Sequence, residues 1–265
     1  MNILVCVKQV PDTTEIKINP ATNTLIREGV PSIVNTFDAF ALEMAARIKD
    51  ENGAKIIAVS MGPEQARNAL KECLSVGADK AYLVSDRAFG GSDTLATGYI
   101  LSRALKAVEA LEGPVDIVFC GKQAIDGDTA QTGPQLAEQL EYPQLTCVTK
   151  IDAAEGRVRA ERETEYGKEI WESPTPVVVT VTKPAFEPRY PTIKSRMAAT
   201  RAVIPVLTIN EVGADAERSG LKGSPTKVKK IYVPVRDKKG ILIKNEEARD
   251  SARQLTGLLG DAGLL

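Results

Sequence analysis

The sequence predicts an α/β protein: a doubly wound, mostly parallel sheet with antiparallel strands at one edge and a C-terminal arm. Three observations carry that reading. Short runs rich in Val and Ile alternate with longer segments of helical periodicity, the pattern of a parallel sheet covered by helices on both faces. Glycines and helix-starting residues stand where apolar runs give way to helical ones, as at Gly62-Pro63 and at Gly90 to Thr94. The alternation stops after Thr146, where β-type runs succeed one another.

In chain order, NILVCVK (residues 2–8) reads as the first strand. EIKINPATNTLIRE, Glu15 to Glu28, reads as a small hairpin with its turn at about Asn19 to Asn23. A helix follows over about Asp38 to Glu51, then a strand at Lys55 to Met61 and a helix at Pro63 to Val76. The next pairs are a strand at Lys80 to Ser85 with a helix at Asp93 to Leu111, and a strand at Val115 to Gly121 with a helix at Ala130 to Glu141. TCVTKID, RVRAERET, KEIWES and PVVVTVT (residues 176–182) supply the edge, with antiparallel pairing expected there. Trp171, the single tryptophan, is expected to pack in the core. After KPAFEPRYP, four prolines between Pro184 and Pro205 and the basic run KSRMAATR make a poor helix-sheet unit. KVKKIYVPV and NEEARDSARQLTGLL read as an arm ending in a helix that packs on a partner chain. The expected division is 1–185 for the nucleotide-binding α/β domain, 186–205 for a recognition segment and 206–265 for the arm.

A chain of 265 residues buries roughly three quarters of its unfolded surface, enough to be stable on burial alone. Its 34 basic and 35 acidic residues leave a net charge of -1, which argues against a general nucleic-acid or membrane-surface binder. No positive leader precedes the first apolar run, and no apolar segment approaches the roughly 20 residues of a membrane span, so a cytoplasmic location is expected. Cys6, Cys73, Cys120 and Cys147 show no C-x-x-C spacing and are expected as buried thiols rather than disulfides or a metal site. The chain has no histidine. That removes Ser/His/Asp and Cys/His triads, histidine bases and most zinc sites, so any chemistry is expected from a cofactor, with no catalytic side chain and no metal.

Doubly wound folds bind ligands at the carboxyl ends of their strands, where strand order reverses. The segments expected there are Cys6 to Asp12, Asn35 to Asp38, Met61 to Pro63, Gly90 to Thr97 and Gly121 to Thr132. The last, GKQAIDGDTAQT, is neither G-x-G-x-x-G nor G-x-x-x-x-G-K-[ST]. Its backbone N–H groups near Thr129 to Thr132 open a helix and suit an anion, with Gln123, Thr129, Gln131 and Thr132 as neutral donors. Asp126 and Asp128 are expected to cap that helix or to accept bonds from ribose hydroxyls or loop amides, an acid-base pair being the alternative. FGGSDT invites comparison with the S-G-G-x-D-S loop of ATP-dependent ligases but follows the wrong strand. A glycine turn with an N-cap explains it, with ligand contact through Thr94 or Thr97 as the other reading.

VKQVPDT, NTFDAFALE, AVSMGP, GKQAIDGDTAQTGPQLAEQL and FEPRYPTIKSRM, between residues 7 and 197, fall in the order and spacing of the beta subunit of electron transfer flavoprotein, a family this chain resembles. The resemblance implies a heterodimer with an alpha subunit and a Rossmann-like, adenine nucleotide alpha-hydrolase-like domain. It places the nucleotide against Cys6, Asn35, Thr36, Phe37, Asp38 and Met61. From the loop it adds Gly121, Lys122, Gln123, Ala124, Ile125, Asp126, Gly127, Asp128, Thr129, Ala130, Gln131 and Thr132. It makes Arg189, Tyr190, Pro191, Thr192, Ile193, Lys194, Ser195, Arg196, Met197 and Ala198 the loop that docks an acyl-CoA dehydrogenase, with Ile193 as its apolar anchor. Many members have Leu-Pro where this chain has Ile193-Lys194, a departure that bears on partner choice.

Housekeeping members resemble D-D-D-x-N-Q in the loop and hold AMP as a structural ligand; electron-bifurcating members look like D-G-D-T-A-Q and hold a second FAD, its ADP half at the AMP position. This chain reads Asp126-Gly127-Asp128-Thr129-Ala130-Gln131, the second form. Glycine at 127 lets the backbone approach a diphosphate where an aspartate would bring charge and bulk. The expectation is therefore an FAD that accepts a hydride from NADH, with electrons divided between ferredoxin or flavodoxin and, through the alpha-subunit FAD, an acyl-CoA dehydrogenase. An AMP-binding carrier is the alternative within the family, and a stand-alone adenine-nucleotide signalling domain the alternative outside it.

Overall fold

The computed structural model describes residues 1–12, 18–19, 24–25, 31–229 and 240–265. The elements in chain order are β1 (Asn2–Cys6), β2 (Gln9–Pro11), β3 (Ile18–Asn19), β4 (Thr24–Leu25), β5 (Ser32–Val34), α1 (Thr36–Asn52), β6 (Lys55–Met61), α2 (Arg67–Val76), β7 (Lys80–Val84), α3 (Thr94–Glu112) and β8 (Ile117–Gly121). They continue with α4 (Thr132–Leu140), β9 (Gln144–Ala154), β10 (Arg157–Thr164), β11 (Gly167–Pro174), β12 (Val177–Val181), α5 (Ile193–Arg201), β13 (Val206–Leu207), α6 (Ile209–Val212) and α7 (Ala248–Asp261).

The Val/Ile runs align in one nine-stranded sheet of order β11-β10-β9-β12-β8-β1-β6-β7-β13. Because successive side chains point to opposite faces, each central strand feeds two cores. Ile3, Val5, Ile56, Ile117 and Phe119 face α1 and α2, while Leu4, Ile57, Val59 and Val118 face α3 and α4. Burying both faces is what makes these strands continuous apolar runs. From β1 the chain first builds outward through β6 and β7, then returns to lay β8 and β12 on the other side. The order therefore reverses at β1, and the carboxyl ends of β1 and β8 stand side by side.

The edge differs from the expected one in a specific way. β9, β10 and β11 form the antiparallel meander, but β12 returns inside the sheet, parallel to both β8 and β9. Its five residues are all buried, which an edge strand would not allow. Trp171 is a correction: on β11 it is 49% exposed, with Arg162 stacked 5.7 Å from its ring and its Nε1 donating to Glu169 at 2.8 Å. Within the expected hairpin, Ile18–Asn19 pair antiparallel with Thr24–Leu25; the rest of Glu15 to Glu28 lies outside the described residues. The short pair β2–β5, Gln9 opposite Val34, is an element that the sequence pattern did not suggest.

KSRMAATR, expected with the surrounding prolines to make a poor helix-sheet unit, lies within α5. Thr192 and Ser195 form a reciprocal capping box, Ser195 N donating to Thr192 Oγ1 and Thr192 N to Ser195 Oγ, both at 3.0 Å. That satisfies two of the N–H groups a helix start leaves orphaned. Within the segment expected as an arm, Val206 and Leu207 add a parallel edge strand beside Leu83 and Val84, and Met1–Lys229 is one compact unit. The second unit, Lys230–Leu265, contains α7, which displays Leu255 and Leu258. Among the described residues no helix is long and apolar enough to cross a membrane.

Candidate functional site

At the strand-order reversal lies a cavity of about 350 Å³, bounded by the ends of β1, β6 and β8 and the starts of α3 and α4. Its size falls in the range of small-molecule sites. Two polar residues that lead into α1 build its rim. Asn35 donates from Nδ2 to the Gln123 carbonyl at 2.8 Å and accepts from Ile125 N at 3.0 Å, so it grips the loop after β8 at two points. Asp38 bridges the two strand ends: Oδ2 accepts from Lys8 N at 2.7 Å and Oδ1 from Gly121 N at 3.1 Å. Only glycine fits at 121, since a Cβ there would overlap Asp38 Oδ1 and lie 2.7 Å from the Phe37 backbone carbon. Burial pushes the Asp38 carboxyl up to about 7, against the opposing pull of hydrogen bonds from Asn35, Lys8 and Gly121. Asp38 is 7% exposed.

Beyond Ala124 the loop turns on bonds from Gly127 N (3.2 Å) and Asp128 N (2.9 Å) to the Ala124 carbonyl. Asp126 receives Lys8 Nζ at 2.7 Å and Asp128 receives Gln123 Nε2 at 2.6 Å. Neither caps the helix, contrary to one of the two readings; they hold the loop. Asp128 and Ala130 take left-handed φ values of 52° and 53°, a conformation that costs an L-residue roughly 1–2 kcal/mol, so α4 begins at Thr132 and not at Ala130. Gln131 occupies its N-cap position without a side-chain cap bond. The first N–H groups of a helix have no intrahelical partner, and here the first two residues of α4, Thr132 and Gly133, line the cavity at the positive end of the helix dipole. Such an uncapped start, beside Lys8, Lys122, Thr94 and Thr97, suits a phosphate or diphosphate. Gly127 has no atom within 4 Å of where its Cβ would be, so space for a ligand exists there.

The cavity gathers Cys6, Asn35, Asp38, Met61, Thr94, Thr97, Gly121, Lys122, Gln123, Ala124, Gly127, Thr129, Ala130, Gln131 and Thr132. Thr36, Phe37, Ile125, Asp126 and Asp128 do not line it; Phe37 backs Gly121, and the last three anchor the loop as described. Val7, Lys8, Ser92 and Asp93, which also line the cavity, fall within the expected strand-end segments without being singled out, whereas Val59, Leu101, Cys120 and Gly133 lie outside every expected segment. Asp93 N-caps α3, accepting from Ala96 N at 3.0 Å, as the N-cap reading of FGGSDT expects, while Thr94 Oγ1 donates to Gln131 Oε1 at 3.1 Å. A strap of residues 219–226 is tied to the turn before α3: Asp93 N donates to Ser224 Oγ at 2.8 Å, Thr226 N to Asp93 Oδ2 at 2.9 Å and Gly220 N to Ser92 Oγ at 3.1 Å.

In the segment around α5 the residues divide by direction. Arg189 turns inward, Nε on Glu43 at 2.7 Å and Nη2 on Asp50 at 2.8 Å, with its own N–H on Glu43 as well. These partners raise the Arg189 guanidinium and lower the Asp50 carboxyl from their ordinary values. Tyr190 and Ile193 turn outward, 93% and 83% exposed, with Met197 beside them.

A doubly wound sheet with an uncapped helix start at its reversal point defines an α/β protein of the kind that places a ligand site at the carboxyl ends of its strands. Residues 22–212 match the model of the electron transfer flavoprotein domain. The chain is 51% identical over 255 residues to the electron transfer flavoprotein subunit beta of Megasphaera elsdenii, covering 95% of this chain and 94% of that one. It is 44% identical over 266 residues to the caffeyl-CoA reductase-Etf complex subunit CarD of Acetobacterium woodii, covering all of both, and 45% identical over 253 residues to the protein FixA of Azotobacter vinelandii, covering 94% of this chain and 90% of that one. The chain belongs to the electron transfer flavoprotein family, as a beta-type subunit.

Proposed function

We propose that this chain is the beta subunit of an electron-bifurcating electron transfer flavoprotein and that the cavity takes the ADP half of an FAD. The observation that carries the reading is the loop Gly121 to Thr132, much of which lines the cavity together with the uncapped start of α4 and in which the side-chain position of Gly127 is open. When bound, FAD supplies acceptance of a hydride from NADH and division of its electrons between ferredoxin or flavodoxin and, through the FAD of an alpha subunit, an acyl-CoA dehydrogenase. The protein's part is positioning. Thr132 and Gly133 N–H groups receive the diphosphate, Asn35 and Asp38 fix the loop that presents them, and Thr94 and Thr97 meet the ligand toward its flavin end. Tyr190, Ile193 and Met197 form the docking face for the dehydrogenase, while the unit from Lys230 onward packs on the alpha subunit. The name of the Acetobacterium relative, a subunit of a reductase-Etf complex, supports assembly into such a system.

Counting flavins in the purified heterodimer tests the proposal. Two FAD per dimer is the expected result; one FAD with one AMP makes the chain a carrier subunit with a structural nucleotide. A monomer that carries ATP or AMP and no flavin overturns both.

A further inference from the structure

Cys6 ends β1, and Cys120 stands one residue before the end of the neighbouring β8. Carried one residue beyond the paired Leu4 with Val118 and Val5 with Phe119, the parallel register sets Cys6 beside Cys120. Both thiols follow Leu4 and Val118 onto the same face, Cys120 inside that core and Cys6 packed against it. Adjacent strands lie about 5 Å apart, inside the separation of about 4.4–6.8 Å that a disulfide requires between Cα atoms. The two thiols are close: the Cys6 sulfur, ahead of burial, holds the Cys120 thiol well above its ordinary range. Both also line the cavity. Cys6 is half-buried and so the more accessible of the two. The remaining cysteines are not placed to compete, Cys73 lying in the core of the opposite face and Cys147 on β9, with neither lining the cavity. Finally, the two backbone donors to Asp38 follow directly: Lys8 comes two residues after Cys6, and Gly121 one after Cys120.

We propose that Cys6 and Cys120 are a redox-sensitive dithiol in the floor of the cavity, which hydrogen peroxide converts to a disulfide that closes the cavity to its nucleotide. The exclusion of nucleotide rests on the cavity being the adenine-nucleotide site proposed above; formation of the disulfide does not. The Cys6 sulfur attacks one peroxide oxygen, the O–O bond breaks, and Cys6 becomes a sulfenic acid as the first water leaves. The Cys120 sulfur then attacks the Cys6 sulfur, the S–O bond breaks, and the second water leaves with the Cys120 proton. Two thiols lose two electrons and peroxide becomes two waters. The bridge moves both side chains at the floor and the strand ends that present Lys8 and Gly121 to Asp38, which disturbs the loop that holds the phosphates.

The test uses the purified protein in the complex in which it is isolated, stripped of bound nucleotide and treated with hydrogen peroxide with and without AMP. Alkylation and non-reducing peptide mapping then follow the Cys6–Cys120 cross-link. The expected result is a cross-link that dithiothreitol reverses and that abolishes AMP binding. With AMP at ten times its dissociation constant only about one cavity in eleven is open, so cross-linking should slow about tenfold. Over-oxidation of Cys6 to sulfinic acid without a cross-link overturns the proposal, as does a cross-link that leaves AMP affinity unchanged. If the reduced protein binds no AMP at all, the nucleotide reading fails, and the mapping alone still decides whether the dithiol exists.

Discussion

Asp38 Oδ1 accepts the Gly121 N–H at 3.1 Å and fills the space that a side chain on Gly121 would need. One contact thus fixes both the end of β8 and the identity of the residue there. Gly121→Ala should destabilise the fold by about 1–3 kcal/mol, the usual cost of forcing atoms into packed space, and should weaken nucleotide retention in parallel. Urea denaturation and nucleotide content of the purified variant read the two effects.

The same carboxyl makes stability depend on pH. Asp38 titrates at about 7 in the fold against 3.8 for the ordinary group, so the folded state holds this proton more tightly than the unfolded one. Its contribution is full below about pH 4, declines as pH rises toward 7 by at most about 1.4 kcal/mol per unit, and is constant above. The stability difference between wild type and Asp38→Asn should therefore shift against the wild type across that window. Denaturation curves at several pH values between 4 and 8 check it; a difference that stays flat means that Asp38 is ionised throughout.

Gly127→Asp should leave the melting temperature unchanged, because nothing surrounds the site. It should weaken FAD retention roughly tenfold, about 1.4 kcal/mol, while AMP still binds. Unchanged FAD content removes the reason for preferring the bifurcating form.

Arg189 and Ile193 should separate stability from docking. Arg189→Ala strips two bonds from Glu43, which is only 5% exposed, and should cost about 1–3 kcal/mol; Arg189→Lys should recover little, having no planar fork to span Glu43 and Asp50. Ile193→Ala should leave stability within about 0.5 kcal/mol and weaken binding of an acyl-CoA dehydrogenase. Thermal melts beside surface-plasmon titrations with the dehydrogenase distinguish them, and equal loss of docking without destabilisation in Arg189→Ala would assign that arginine to the interface.

Signals that act within a few residues were the legible ones. Apolar runs marked the buried strands, and Gly121, Asn35 and Asp38 stood out as small or polar residues where strands give way to helices. Asp126 and Asp128 were misread as possible caps because their partners, Lys8 and Gln123, are chosen by the folded loop and not by spacing. The strap from Ser219 to Thr226 was invisible for a similar reason: its bonds to Ser92 and Asp93 cross more than a hundred residues of chain. β13 has two residues, too short for any alternation to show. Trp171 misled by residue type, since an aromatic on an outer strand can cover a neighbouring arginine as readily as a core.

The two margins of the sheet are unequal, eight residues of β11 against two of β13. Only β11 exposes enough backbone to template a foreign strand. Its register sets Lys168 against Glu163 and Glu169 against Arg162, so an incoming chain meets alternating charge along that margin. Trp171 and Ile170 sit among those charges as exposed apolar surface. Neutralising Lys168, Glu169 and Glu172 together would leave an uncharged, partly apolar margin, and concentrated preparations of such a variant should self-associate edge to edge.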